Sequence, residues 1–170
     1  MRSLCFFLLT VLAVSPIWPL GENPTVGDPF LIVSVSDKQI SFIHESEVQS
    51  TYPIAIGKDG DETPIGLFQI IVKAKNPYYR KLNIEGGSPE NPLGSRWMGF
   101  DANNTDGRIY GIHGTNRPDL IGKAVTAGCI RMANEHVEEL FQQIPLGTKM
   151  LITDTTDLEV VELAKEYGAI

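Results

Sequence analysis

The chain has 170 residues, enough for one domain with one core and too few for a second catalytic domain. Apolar residues make up 42% of it, and 16 glycines with 11 prolines favour turns and short strands, so a β-rich globular fold is expected. The net charge of −7, with no cluster of Lys and Arg, speaks against binding to nucleic acid or to an anionic membrane surface.

Residues 1–21 carry one basic side chain, Arg2, and then an apolar run over residues 4–14. That is the length of a secretory h-region and too short for a straight helix across a bilayer. An export signal is therefore expected, which would put the protein in the cell envelope, outside the cytoplasmic membrane. Ala13-Val14-Ser15 has the small-residue spacing of a cleavage site, but Pro16 hinders the peptidase, so an uncleaved anchor through Leu20 stays open. Contact with the membrane would run through this segment alone. Residues 22–29 are polar, contain Pro24 and Pro29, and read as a linker.

The domain proper is expected over residues 30–153. Leu31, Val33 and Val35 alternate with Ser34 and Ser36, Asp37-Lys38 can turn, and Ile40 and Phe42 resume the alternation, which predicts a β-hairpin. Val48, Tyr52, Ile54 and Ile56 fall on one face of a third strand, and Phe68, Ile70, Val72 and Ala74 on one face of a fourth. Residues 57–64 between them are turn chemistry throughout. His44, at the end of the second strand, reads as a solvated strand-end histidine. Residues 75–96 show neither helical nor strand periodicity, and a connection this long inside a compact domain tends to be a lid or binding loop. Residues 97–101 and 108–113 read as two more strands, so His113 ends a strand.

Pro118 can open a short helical turn that Gly122 closes. Asn134 is expected to cap a helix on which Val137, Leu140, Phe141 and Ile144 recur at helical spacing until Pro145 stops them. This helix lies behind the Cys129 segment and should brace it; His136, off its apolar face, is expected to be exposed. A closing strand is predicted at 149–153, and the tail, 154–170, holds a marginal helix around Leu158 to Tyr167.

Chemistry concentrates between Tyr110 and Met132. His113 lies between Gly111 and Gly114, and Cys129 is entered through Gly128 and followed by Arg131. A thiol attacks well only as thiolate, so a cysteine nucleophile needs a base and a site that stabilises charge. The glycines let backbone come close to a substrate, and Arg131 adds fixed positive charge. If Cys5 leaves with the signal, Cys129 is the lone cysteine of an exported protein, a residue usually avoided unless buried or reactive. His113, Cys129 and His136 are zinc-ligand types, but their spacing fits no familiar pattern and no fourth ligand is evident, so neither metal nor other cofactor is expected.

These residues form a known pattern. H-G-T-N at 113–116 followed by T-A-G-C-I-R at 126–131 resembles the signature of the YkuD-type L,D-transpeptidase catalytic domain. T-P-I-G-L-F-Q-I at 63–70 and P-L-G-S-R-W-M at 92–98 are similar to that family's upstream strands. The resemblance implies a mostly β, sandwich-like fold with Cys129 and His113 facing one another in a cleft beneath a loop. It implies an enzyme, a cysteine acyltransferase acting on peptidoglycan stem peptides in cell-wall biosynthesis and open to acylation by carbapenems. In the mechanism it implies, His113 takes the Cys129 proton, backbone N–H groups of Gly128 and Cys129 bind the oxyanion, D-alanine leaves, and an amine of a second stem captures the thioester as a 3→3 cross-link. Two positions depart from common members: Ala127 replaces a polar or basic residue, and Gly114 stands where a Ser can help orient the ring. The tautomer of His113 would then be fixed by a backbone carbonyl or a distant side chain. Arg131, Asn116 and Thr126 are open to substrate-binding or loop-supporting roles, and Tyr110 to a plain strand role. Water as acceptor would give an L,D-carboxypeptidase, and a packed, inert Cys129 would give a non-catalytic wall-binding domain.

Overall fold

The structure, a computed structural model, describes residues 24–154 and 159–170. The proposed signal, with residues 22 and 23 of the linker, lies outside them. Ten strands and two α-helices follow in the order β1 (Phe30–Ser34), β2 (Gln39–His44), β3 (Glu47–Pro53), β4 (Ile56–Gly57), β5 (Gly66–Lys75), β6 (Arg96–Phe100), β7 (Tyr110–His113), β8 (Ala124–Thr126), β9 (Ile130–Arg131), α1 (Asn134–Gln143), β10 (Lys149–Thr153) and α2 (Val160–Glu166). Eight strands form one curled mixed sheet in the order β3-β2-β1-β10-β5-β6-β7-β9, and β4 pairs with β8 alone. The β1–β10 and β7–β9 pairs are parallel. The mostly β expectation holds. In place of two facing sheets, one long sheet carries the fold, with helices packed against it.

The run Phe30-Leu31-Ile32-Val33 is buried on both faces. Leu31 and Val33 enter the larger core with Val137, Leu140 and Phe141 of α1, while Phe30 and Ile32 enter a second core with Leu163 and Ala164 of α2. Four consecutive apolar residues are what a strand covered on both sides requires. The alternation expected from Leu31 onward was half of the pattern. α2 is correspondingly no marginal appendage: it packs on β1, and Tyr167 just beyond it stacks on Phe30 at 6.1 Å. Residues 24–29 are also fastened rather than tether-like, since Gly27 N–H donates to Ala169 O and Glu45 N–H to Gly27 O.

The predicted third strand divides. Pro53 has no N–H to continue a ladder, and the chain leaves the sheet edge there. Tyr52, Ile54 and Ile56 are buried, but Val48 is exposed past a register shift at Phe42/Ile43. Residues 54–57 then run beside the Cys129 segment, where Ala55 and Arg131 exchange both backbone hydrogen bonds at 2.8 and 2.9 Å. The 75–96 connection is likewise ordered from within. Asn91, 1% exposed, donates to the carbonyls of Pro77 and Glu85 and accepts from Leu93 N–H.

α1 packs on β6 and β7, the strand that ends in His113. Lys73 holds its far end by donating to the carbonyls of Phe141 and Ile144 at 2.6 and 2.5 Å, a cation at the negative end of the helix. Ala133, not Asn134, occupies the N-cap position. The Asn134 side chain turns away from the helix's own amides toward other segments, as described below. His136 is half-buried against the Tyr52 ring at 4.8 Å rather than exposed, and His44 stacks on Phe42 at the end of β2.

Candidate active site

β7 lies between β6 and β9, and its alternation divides its residues between two surroundings. Ile112 pairs with Ile130 of β9, and both are fully buried in the larger core. Gly111 and His113 therefore point to the opposite face. His113 pairs with Arg131 in the parallel register, so Cys129, two residues before Arg131, shares that face and lies alongside Gly111. The side chains of His113, Cys129 and Arg131 are thus gathered on one surface from positions 16 and 18 residues apart in the chain.

Trp97 of β6 stands opposite His113 and stacks on its ring, 5.6 Å between centroids and 17° from parallel. Its indole N–H donates to Gly107 O at 2.9 Å. A Cβ at Gly111 would stand 2.5 Å from the indole, so glycine is needed there to let the stack close. The ring nitrogen Nδ1 of His113 lies 2.6 Å from Gly114 O. A carbonyl only accepts, so Nδ1 carries the proton and, in the neutral ring, Nε2 is left as the basic nitrogen. The tautomer is thus held by a backbone carbonyl, one of the two alternatives the Gly114 departure left open.

His113 is 4% exposed, and burial pushes its pKa down to about 4. The carbonyl of Gly114 opposes that shift, the charge of Arg131 adds to it, and the Leu93 carbonyl opposes it weakly. Cys129 is half-buried; burial raises its thiol pKa, against smaller lowering effects of the Gly111 N–H and of Arg131. Its Sγ–H rests on Ile109 O at 3.4 Å. Burial thus disfavours the charged form of each group, imidazolium and thiolate alike.

The supporting residues sort by their contacts. Thr126 is buried and donates its hydroxyl to Cys129 O at 2.6 Å, closing the cysteine turn. In that turn Gly128 takes φ +93°, with the Tyr110 ring 3.0 Å from where a Cβ would stand. Tyr110 accepts from Asn103 Nδ2 at 3.1 Å. Asn116 Nδ2 donates to Glu90 O, pinning the long loop to the segment after His113. Arg131 is half-buried, its backbone is tied to Ala55, and its Nε makes no hydrogen bond among the described residues. Between loop and body lies a polar cavity of about 200 Å³ lined by residues including Asn76, Ser88, Asn91, Thr115 and Asn134; neither Cys129 nor His113 lines it. Among the described residues no cluster of His, Cys, Asp and Glu is arranged to hold a metal ion. Trp97 and Asn134 carry no site signal in the sequence: a tryptophan on the strand beside a histidine leaves no spacing pattern, and Asn134 reads as a helix cap.

A half-buried thiol, a tautomer-fixed neutral imidazole and a fixed cation on one sheet face, with a long loop pinned to the segment after the histidine, are the parts of a cysteine acyl-transfer protein. Comparison with known sequences gives the family. The profile of the L,D-transpeptidase catalytic domain, YkuD, matches residues 28–152, and the chain belongs to this family of cysteine transpeptidases. YqjB of Bacillus subtilis, classed with the L,D-transpeptidases, is 56% identical over 166 residues, covering 97% of this chain and 94% of that protein. The fold is similar to that of an L,D-transpeptidase from Mycobacterium smegmatis, with TM-score 0.61 and 18% identity over 75% of this chain and 59% of that one. LdtMt1, solved in complex with imipenem, has TM-score 0.59 and 19% identity over the same shares of the two chains.

Proposed function

We propose that the protein is a peptidoglycan L,D-transpeptidase that forms 3→3 cross-links through a thioester on Cys129. The observation that carries this reading is the register that brings Cys129 and His113 to one face, with Nδ1 of His113 committed to Gly114 O, which leaves Nε2 as the basic nitrogen.

In the first half-reaction the Cys129 proton moves to Nε2 of His113 as sulfur attacks the carbonyl between the third stem residue and the terminal D-alanine. Burial disfavours charge on either group, which favours creating charge at the moment of attack over storing it beforehand. The N–H groups of Gly128 and Cys129, in the turn that the Gly128 conformation opens, are the donors for the oxyanion. Such donors are worth about 3 kcal/mol in other acyl-transfer enzymes. The imidazolium returns its proton to the departing amine, the C–N bond breaks, and D-alanine leaves. In the second half-reaction the side-chain amine of another stem attacks the thioester. Such an amine, with an ordinary pKa near 10, is mostly protonated at neutral pH. After that ammonium has lost a proton to solvent, the neutral amine attacks; as the C–N bond forms and the C–S bond breaks, His113 takes a second proton from the nitrogen and passes it to sulfur, regenerating the Cys129 thiol.

Arg131 shares the face of His113 and Cys129, and its fixed positive charge supports a role in attracting the stem's terminal carboxylate. Thr126, Asn116 and Tyr110 act as loop supports through the contacts described above. In domain terms, residues 1–21 export or anchor the protein, 22–29 lead into the domain, 30–153 form the catalytic domain and 154–170 close it, so that the enzyme works at the cell wall outside the cytoplasmic membrane. The reading predicts acylation of Cys129 by carbapenems, and the imipenem complex of LdtMt1 supports it.

The test is incubation with disaccharide-tetrapeptides followed by mass spectrometry of the products. A cross-linked dimer with loss of D-alanine is expected. A trimmed monomer would make water the acceptor and the enzyme a carboxypeptidase, and unchanged substrate together with unmodified protein after carbapenem treatment would remove the catalytic assignment.

A further inference from the structure

We infer that Asn134 is a positioning residue for His113, acting through one backbone peptide; the inference rests on the catalytic reading of His113 given above. Asn134 Oδ1 accepts from the N–H groups of Ser95 and Thr115, each at 3.2 Å, and its Nδ2 donates to Thr115 O at 2.9 Å. The N–H of Thr115 and the C=O of Gly114 belong to the same peptide unit. That unit is planar and trans, so its N–H and C=O point in opposite directions and neither can turn without the other. Holding the Thr115 N–H on Asn134 therefore aims the Gly114 carbonyl at Nδ1 of His113, where it lies at 2.6 Å. The chain of contacts runs from the first turn of α1, through the amide side chain and one peptide plane, to the imidazole. Each link also polarises the next in the same direction, which strengthens the carbonyl as an acceptor.

Two glycines make room for this. A Cβ on Gly114 would stand 2.1 Å from Asn134 Oδ1, and one on Gly94 would stand 2.2 Å from it. An ordinary helix cap would need neither gap. Asn134 also does not serve the helix, whose N-cap residue Ala133 makes no side-chain cap hydrogen bond. Its contacts lie 19 and 39 residues back in the chain, at the exit of His113 and the base of the long loop. In this chain Asn134 supplies, by way of a peptide, the orientation that a side chain bonded directly to the histidine supplies elsewhere.

The test reads the ring itself. In protein labelled with ¹⁵N-histidine at pH 7, long-range proton–nitrogen correlation should show His113 as the Nδ1–H tautomer. Asn134→Ala should give a mixture with the Nε2–H form, and should slow alkylation of Cys129 by iodoacetamide roughly ten-fold or more with an altered pH profile. A folded Asn134→Ala protein, judged by circular dichroism, with wild-type tautomer and pH profile would overturn the inference. So would an Nε2–H ring in the wild type, so the inference remains open to refutation even if the alanine variant does not fold. Absence of any muropeptide turnover with the tautomer shift intact would remove the proposed function and leave the relay standing.

Discussion

The eight-stranded sheet has two kinds of strand, and the contrast shows what each is for. β1 and β10 are buried on both faces: Leu31, Val33, Met150 and Ile152 enter one core, and Phe30, Ile32 and Leu151 the other. β7 and β9 give Ile112, Ile130 and part of Tyr110 to hydrocarbon and keep Gly111, His113 and Arg131 on a face held by hydrogen bonds, a ring stack and close-fitting glycines. Hydrophobic burial is strong but non-directional. It suffices to hold a strand in place but does not aim an imidazole. The site half therefore relies on directional contacts to backbone, and damage to the two halves should have different consequences.

The largest effect is expected at the sulfur. Cys129→Ser should lower cross-link formation by roughly 10³-fold or more and abolish the carbapenem adduct, while the melting temperature stays near that of the wild type. Mass spectrometry and thermal melting check both halves of that statement. In the two-sided strand, Phe30→Ala removes a fully buried ring and should cost about 3–5 kcal/mol in denaturant unfolding. Turnover per folded molecule should be unchanged. A loss of turnover would show that the two halves are not separable.

A third prediction links site and stability through pH. His113 has a folded pKa of about 4 against the ordinary 6.5, so between these values the unfolded chain takes up a proton that the folded chain refuses. Its contribution is then fully present above pH 6.5 and is lost as pH falls toward 4, by up to about 3 kcal/mol. Unfolding of wild type and His113→Gln across that range should show the slope disappear in the variant. An equal slope in both would mean that the imidazole takes up its proton without penalty. The smallest effect is expected for Gly111→Ala, which sets a methyl against the Trp97 ring and should cost about 1–3 kcal/mol. It should also slow Cys129 alkylation, because the ring it displaces supports His113.

The local geometry of the candidate site is legible where neighbours make it: His113 at a strand end, Gly128 before Cys129, Thr126 three residues from the carbonyl it binds. Most strands were legible for the same reason, since alternation is a property of neighbours. The turn of the chain at Pro53 was visible as a proline but not as a change of sheet. Trp97 and Asn134 passed unnoticed because what matters about them is who stands across from them.

By itself the sequence determined most of the strands, the helix after Cys129 and which side chains are candidates for chemistry, since periodicity, turn chemistry and functional groups are all encoded within a few residues. Only the tertiary structure decided that β1 is covered twice, that burial disfavours charge on His113 and Cys129, and that an asparagine at the start of a helix holds the peptide beside a histidine. Those outcomes depend on desolvation and on contacts between segments tens of residues apart, and neither is a property of any stretch of chain taken alone.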